Sequence, residues 1–356
     1  MKQANKMNKF SGLLIPVISI FLGVFIGAII MLITGYNPIA AYTALLNGIF
    51  SDTYYIGETI RSMTPLILAG LAVAFAYRTG LLNIGVEGQL IVGWLASVWV
   101  GIIFVGLPTI IHLPLAIIAG AIAGGIWGFL PGLLKARFEV HEVIVTIMMN
   151  YIALYTANAI IRSYLLVPGE RTENIQASAS LESPMLQALT DHSRLHWGFI
   201  VAILACLIMW FILWKTKKGY ELRAVGFNQH ASQYAGMNVK GNIVLSMVIS
   251  GGFAGVAGAM EGLGTYGYMS IMSGFTGVGF DGIAVALLGA NTGIGVFLSS
   301  FLFGGLQVGS LRMQQQAGVP SELVDIVIAL IIFFVASSYI IRWAMNRIKD
   351  RKKGGN

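Results

Sequence analysis

An all-α polytopic membrane protein with about ten membrane-spanning helices is the fold class that this sequence predicts. Hydrophobic residues fill 56% of the 356 positions and charged residues only 10%, where ordinary soluble domains carry roughly 25% charged residues. The apolar positions gather into runs long enough to cross a bilayer, Leu13–Ile33 among them. Between the runs, basic residues collect on alternate connections, as they do on the cytoplasmic side of a membrane protein.

The elements follow in order. Residues 1–11, with Lys2, Lys6 and Lys9, read as a cytoplasmic N-terminus. Leu13–Ile33 is too long for the apolar core of a signal peptide, and Tyr36-Asn37-Pro38 is no small-residue cleavage site, so 12–34 reads as an uncleaved first span. Further spans are expected near 59–78, 87–106, 114–134, 142–166, 197–214, 242–264, 271–290, 294–311 and 322–345. Together they make one transmembrane domain over 12–345, followed by a basic tail at 346–356. The outer connections Gly35–Glu58 and Pro168–Leu195 are long enough for short interfacial helices, and the second is acidic. The run 271–290 is crowded by Gly274, Gly277, Gly279, Gly282 and Gly289 and interrupted by Asp281. A re-entrant segment fits it as well as a full span does, and 294–311 shares that ambiguity.

With both termini inside, 17 of the 22 Lys and Arg residues fall on the inner side and 5 on the outer, which sets the orientation. Five spans precede the extracytoplasmic loop 168–195 and five follow it, so a repeat would have to be inverted in the membrane. The net charge of +7 is thus a membrane signature rather than a nucleic-acid footprint. The lone Cys206 lies in an apolar run and offers neither a disulfide framework nor a thiol metal site.

Ionisable groups at membrane depth need a reason, since each costs roughly 2.5–3.5 kcal/mol on insertion scales. Glu87 opens a helix after Gly80-Leu-Leu-Asn-Ile-Gly-Val86, where a carboxylate suits the helix dipole, and reads either as a first-turn charge or as a pathway residue. Asp281 follows bendable, glycine-rich backbone and reads as a pathway residue. Glu142, beside His141, reads as a surface charge at a helix start, and Glu261 and Asp325 as interfacial. Gly251, Gly255, Gly258 and Gly262 carry small-xxx-small spacing and are expected to serve close helix packing. There is no phosphate-binding G-x-x-x-x-G-K-[ST] loop, no H-E-x-x-H, no C-x-x-C and no Ser/His/Asp set, and His112 and His196 lack a partner ligand at i+4, so neither an enzyme nor a metal site is indicated.

The polar, basic break Lys215–Gly241, punctuated by Gly219, Gly226 and Gly236, has the make-up of a surface on which a soluble protein docks. Four segments then carry a resemblance: Arg78-Thr-Gly-Leu-Leu-Asn-Ile-Gly-Val-Glu-Gly-Gln89, Glu142-Val-Ile-Val-Thr-Ile-Met-Met-Asn-Tyr151, Gly219-Tyr-Glu-Leu-Arg-Ala-Val-Gly-Phe-Asn228 with Tyr234-Ala-Gly-Met-Asn238, and Ser250-Gly-Gly-Phe-Ala-Gly-Val-Ala-Gly258. From about residue 15 to 345 the chain resembles the permease subunits of bacterial ABC importers for ribose-type sugars and nucleosides, in the nucleoside branch. His141 departs from the Asn that the resemblance leads one to expect.

The resemblance implies inward transport of a nucleoside, most naturally a purine nucleoside, across the bacterial plasma membrane. It implies an ABC ATPase subunit, a second, homologous but non-identical permease and an extracytoplasmic substrate-binding lipoprotein as partners. ATP and Mg are then used by the ATPase, and this chain binds no cofactor of its own. Gly219, Glu221, Arg223, Gly226 and Asn228 are expected to couple to the ATPase, Glu221 and Arg223 through ion pairs. Asn83, Glu87, Asn150 and Asp281 are expected along the translocation route. The same machinery for a simple sugar such as ribose or galactose is the alternative within the family. A proton-coupled secondary transporter and a purely structural scaffold are the alternatives outside it. A planar base would stack on rings such as Trp94, Trp99, Tyr151, Tyr155, Tyr266, Tyr268 and Phe280, though aromatic side chains also populate membrane interfaces.

Overall fold

The computed structural model describes residues 2–336, with side chains over 17–334, and no β-strand forms among them. The helices are α1 (Lys2–Ile33), α2 (Pro38–Phe50), α3 (Thr53–Arg78), α4 (Val86–Ile103), α5 (Thr109–Phe138), α6 (Glu142–Ile160) and α7 (Pro184–Leu189). They continue with α8 (Gly198–Lys215), α9 (Lys217–Phe227), α10 (Gln229–Tyr234), α11 (Val239–Met260), α12 (Val278–Leu288), α13 (Gly293–Ala317) and α14 (Ser321–Ala336). Among the described residues, seven helical stretches are long and apolar enough to cross a membrane. They are Thr53–Arg78, Val86–Ile103, Thr109–Phe138, Glu142–Leu165, Gly198–Lys215, Val239–Tyr266 and Gly293–Ala317. The chain is a polytopic helical membrane protein.

Of the two alternatives open for 271–290, a full span does not form. The run 271–290 contains only the 11-residue α12, about 16 Å of helix, because irregular backbone occupies the stretch before it. The second half of the last expected span, and the tail 346–356, lie outside the described residues.

The chain divides into two compact units, one from residues 1–51 and 305–356 and one from 52–304. In the first, α1 lies along α14, with Gly23 against Ile331 and Gly27 against Val327. Asn37 caps α2 by accepting from the N–H groups of Ile39 and Ala40, with Pro38 at the first helical position. Tyr42 ties the two segments by donating to the carbonyl of Val24 at 2.7 Å.

In the second unit α3 is buried along most of its length, and α4, α5 and α11 close on one another main chain to main chain. A Cβ on Gly124 would strike the carbonyl oxygen of Gly251, one on Gly255 that of Gly120, and one on Gly93 the backbone of Gly255. These glycines allow the approach that larger residues forbid in lipid. The connection after α6 returns over the end of α11: Thr172 N donates to Met269 O, Ile175 N to Gly267 O and Leu181 N to Leu263 O at 2.8–2.9 Å. α5 and α8 turn Ile118, Ile122, Ile126, Leu204, Leu207 and Phe211 outward, the face a bilayer solvates.

Candidate functional site

The segment from Arg78 to Gln89 leaves α3, climbs as an irregular turn and enters α4. Such backbone must find its hydrogen bonds within the protein. Asn83, fully buried, accepts from Gly85 N at 2.9 Å and donates at 2.8 Å to Gln89 Oε1 and to Ser250 Oγ. Asn150, from α6, accepts from Gly88 N at 2.8 Å and donates to Ile84 O at 3.0 Å. Two carboxamides, one within the turn and one on α6, thus satisfy its backbone.

The turn grips α12 at both ends. Glu87 is fully buried, and its Oε1 accepts from Thr276 N at 2.7 Å, Thr276 Oγ1 at 2.6 Å and Gly277 N at 3.0 Å. Its Oε2 accepts from Gly279 N at 2.6 Å. A carboxylate nearly two hundred residues away in sequence therefore caps α12, where no local side chain does so. At the other end Arg78 Nε donates to Asn291 O at 2.9 Å, and its Nη2 donates to Ala290 O at 3.1 Å. Anion at the N-terminus and cation at the C-terminus match the helix macrodipole. Asp281 adds an acidic group in the first turn and is half-buried.

Of the residues expected along a solute route, Asn83, Glu87 and Asn150 are thus buried and bonded to protein, where they shape the turn and α12. Glu142, expected as a surface charge, pairs with Lys135 at 2.9 Å. Both Arg78 and Thr276 escaped sequence reasoning. The glycine-rich run before Asp281 was the only local signal, since caps made across such separation leave no pattern.

Below the turn lie α9 and α10. Thr216 caps the first by accepting from Gly219 N at 3.0 Å, and Asn228 ends α9 and caps α10 by accepting from Ala231 N at 2.9 Å. Gly226 rests on the backbone of Arg78 and Gly80, and a Cβ there would strike Arg78 O. Gly80 itself has φ +78, a conformation that suits glycine.

Glu221 and Arg223, expected to pair with an ATPase, also make contacts within the chain. Glu221 accepts from Lys218 Nζ at 2.7 Å and from Asn242 Nδ2 at 3.2 Å. The Lys218 hydrogen bond, then that from Asn242, holds its carboxyl below the ordinary value. Arg223 lies over the Trp214 ring, 4.0 Å from its centroid. What this pair of helices presents is aromatic: Phe227 is 89% and Tyr234 95% exposed. Beside them is a groove of about 330 Å³ lined by Tyr220, Arg223, Phe227, Asn228, Ser232 and Met237.

A polytopic bundle with a broken helix in its interior, gripped by a turn that rests on a helix pair outside it, is the frame of a membrane permease rather than an enzyme. The chain belongs to the family described as "Branched-chain amino acid transport system / permease component", whose model matches residues 55–336. It is 64% identical over 350 residues to the guanosine ABC transporter permease protein NupP of Bacillus subtilis (strain 168), covering 98% of this chain and 100% of that protein. It is 41% identical over 351 residues to the nucleoside ABC transporter permease protein NupB of Lactococcus lactis subsp. cremoris (strain MG1363), covering 97% and 96%. A glucose ABC transporter permease protein, TsgB13 of Haloferax volcanii, is 30% identical over 347 residues, covering 95% and 90%. No solved structure matches the chain. The chain is a multi-pass protein of the bacterial plasma membrane.

Proposed function

We propose that this chain is the permease subunit of an ABC importer that carries nucleosides, guanosine foremost, into the cell. The observation that carries the reading is 64% identity, over the full length of the relative, to a permease named for guanosine. ATP, with Mg, is hydrolysed by separate ATPase subunits. A second, related permease completes the membrane pathway, and an extracytoplasmic lipoprotein delivers the solute.

The geometry supplies a means of coupling. An ATPase engages the exposed Phe227 and Tyr234 on α9 and α10. Displacement of α9 reaches the Arg78–Gly80 turn through the backbone of Gly226, with no flexible side chain between them. That turn holds α12 at both ends, so α12 shifts with it. ATP binding then favours one conformer through differential contacts at the helix pair.

The test is uptake by the complete transporter in proteoliposomes. ATP-dependent guanosine accumulation that needs the lipoprotein is the expected result. Uptake that survives ATP removal but collapses with the proton gradient supports a secondary carrier instead. The glucose-permease relative at 30% identity favours one second reading, a simple sugar as cargo. Accumulation of ribose, galactose or glucose with no guanosine uptake would establish it.

A further inference from the structure

Between Tyr266 and α12 the chain runs without helix, and it is pinned along its length. Asn158 holds Met272 from both sides, donating to its carbonyl at 2.8 Å and accepting from its N–H at 2.9 Å. Ile271 N donates to Glu170 O at 2.8 Å, and Glu87 takes the N–H groups of Thr276, Gly277 and Gly279. The segment is therefore set in place before any solute arrives.

Its depth follows from α6. Asn150 bonds both Ile84 and Gly88, so its neighbour Tyr151 is level with the Glu87 cap. Tyr151 also lies near the middle of the 24-residue span Glu142–Leu165. Here the rings of Tyr151 and Phe275 meet edge to face at 5.0 Å, and those of Phe275 and Phe280 at 5.7 Å. Tyr151 is 47% exposed and Phe280 38%, and Ser273, Gly274 and Thr276 are exposed beside them.

Three physical arguments converge on what this face meets. Aromatic belts belong at the membrane interfaces, and this cluster lies at mid-span. Exposed non-helical backbone at membrane depth is tolerated only against protein or a water-filled cavity, never against lipid tails. Sites at the midplane beside broken helices are where transporters hold their cargo.

We propose that Tyr151, Phe275 and Phe280 form a stacking site for the planar base of a nucleoside midway through the membrane. Exposed Ser273 and Gly274, beside the rings, meet the polar edge of that base. The assignment rests on the nucleoside reading above. It adds the element that gives this permease a preference for aromatic bases over unsubstituted sugars. Stacking on these rings does not depend on which base is bound, so purine and pyrimidine nucleosides both fit it.

The test uses the whole transporter in proteoliposomes, photolabelled with 8-azidoguanosine and mapped by mass spectrometry, with guanosine uptake measured in parallel. Adducts on the peptides holding Tyr151 or residues 275–280, suppressed by excess guanosine, are expected. Tyr151→Leu and Phe280→Leu should lower uptake at least about fivefold at saturating lipoprotein, with the ATPase still co-purifying. Tyr151→Phe, which keeps the ring, should recover most of the uptake that Tyr151→Leu loses. Wild-type guanosine uptake with adducts mapping elsewhere, or with both Leu variants unimpaired, overturns the stacking site and leaves the nucleoside reading standing. Absence of guanosine uptake by the wild type removes that reading, and this site with it.

Discussion

Glu87 and Asp281 sit at the same helix end and do different work. The four hydrogen bonds into the Glu87 carboxylate come from donors only, so Glu87→Gln turns an amide NH2 towards N–H groups and removes the charge. A loss of about 2–3 kcal/mol is expected, read as a lower melting temperature of the solubilised transporter. The helix-dipole share of the half-buried first-turn carboxylate of Asp281 is about 0.3–1 kcal/mol, and an unchanged melting temperature in Glu87→Gln would refute the capping role. His196 gives a pH dependence. Burial pushes its pKa down from 6.5 to about 4, and its Nδ1 accepts from Gly198 N at 3.1 Å. The unfolded chain takes up this proton first on acidification, so the contribution of His196 is present above pH 6.5 and lost as pH falls towards 4. Melting temperature should drop between pH 7.5 and pH 5, and His196→Asn should flatten that slope.

At the scale of elements, the seat of α9 is the sensitive contact. Gly226→Val sets a branched side chain against the Arg78 carbonyl, so α9 must lift from the turn. Guanosine uptake is expected to fall about tenfold while the protein still inserts in the membrane. Docking should follow the exposed rings rather than the charges. Phe227→Asp with Tyr234→Asp should abolish ATPase co-purification, whereas Glu221→Lys and Arg223→Glu should weaken it less, because both side chains are engaged within the chain. Equal losses in a pull-down would return the charges to the interface. The long apolar helices were legible because lipid demands unbroken apolar runs, which show in any sequence. The break before α12 was legible as a glycine-crowded run, but not what holds that helix, since its caps come from Arg78 and Glu87 far away. Asn83 and Asn150 were visible as motif members, but their bonds to the turn depend on tertiary placement.

For the whole molecule, orientation is the property to measure. Cysteine reporters belong at Ala177 and Gln233, both exposed, in a Cys206→Ala background. Neighbouring Ser178 is held by His112 at 2.7 Å and Ser232 is buried, which would confuse the labelling. With both termini inside, an impermeant thiol reagent should label Ala177→Cys in intact cells and Gln233→Cys only after permeabilisation. The reverse order would invert the protein in the membrane. The glycine contacts joining α4, α5 and α11 bear on how such a molecule can work. Where main chain rests on main chain, there is no rotamer to flip and no slack to take up strain. Under the coupling proposed above, a displacement passed on at Gly226 would not be damped inside the bundle. These helices, with α12 held by Glu87 of α4, would then move as one stiff lever whose displacement has to appear at its outer boundary.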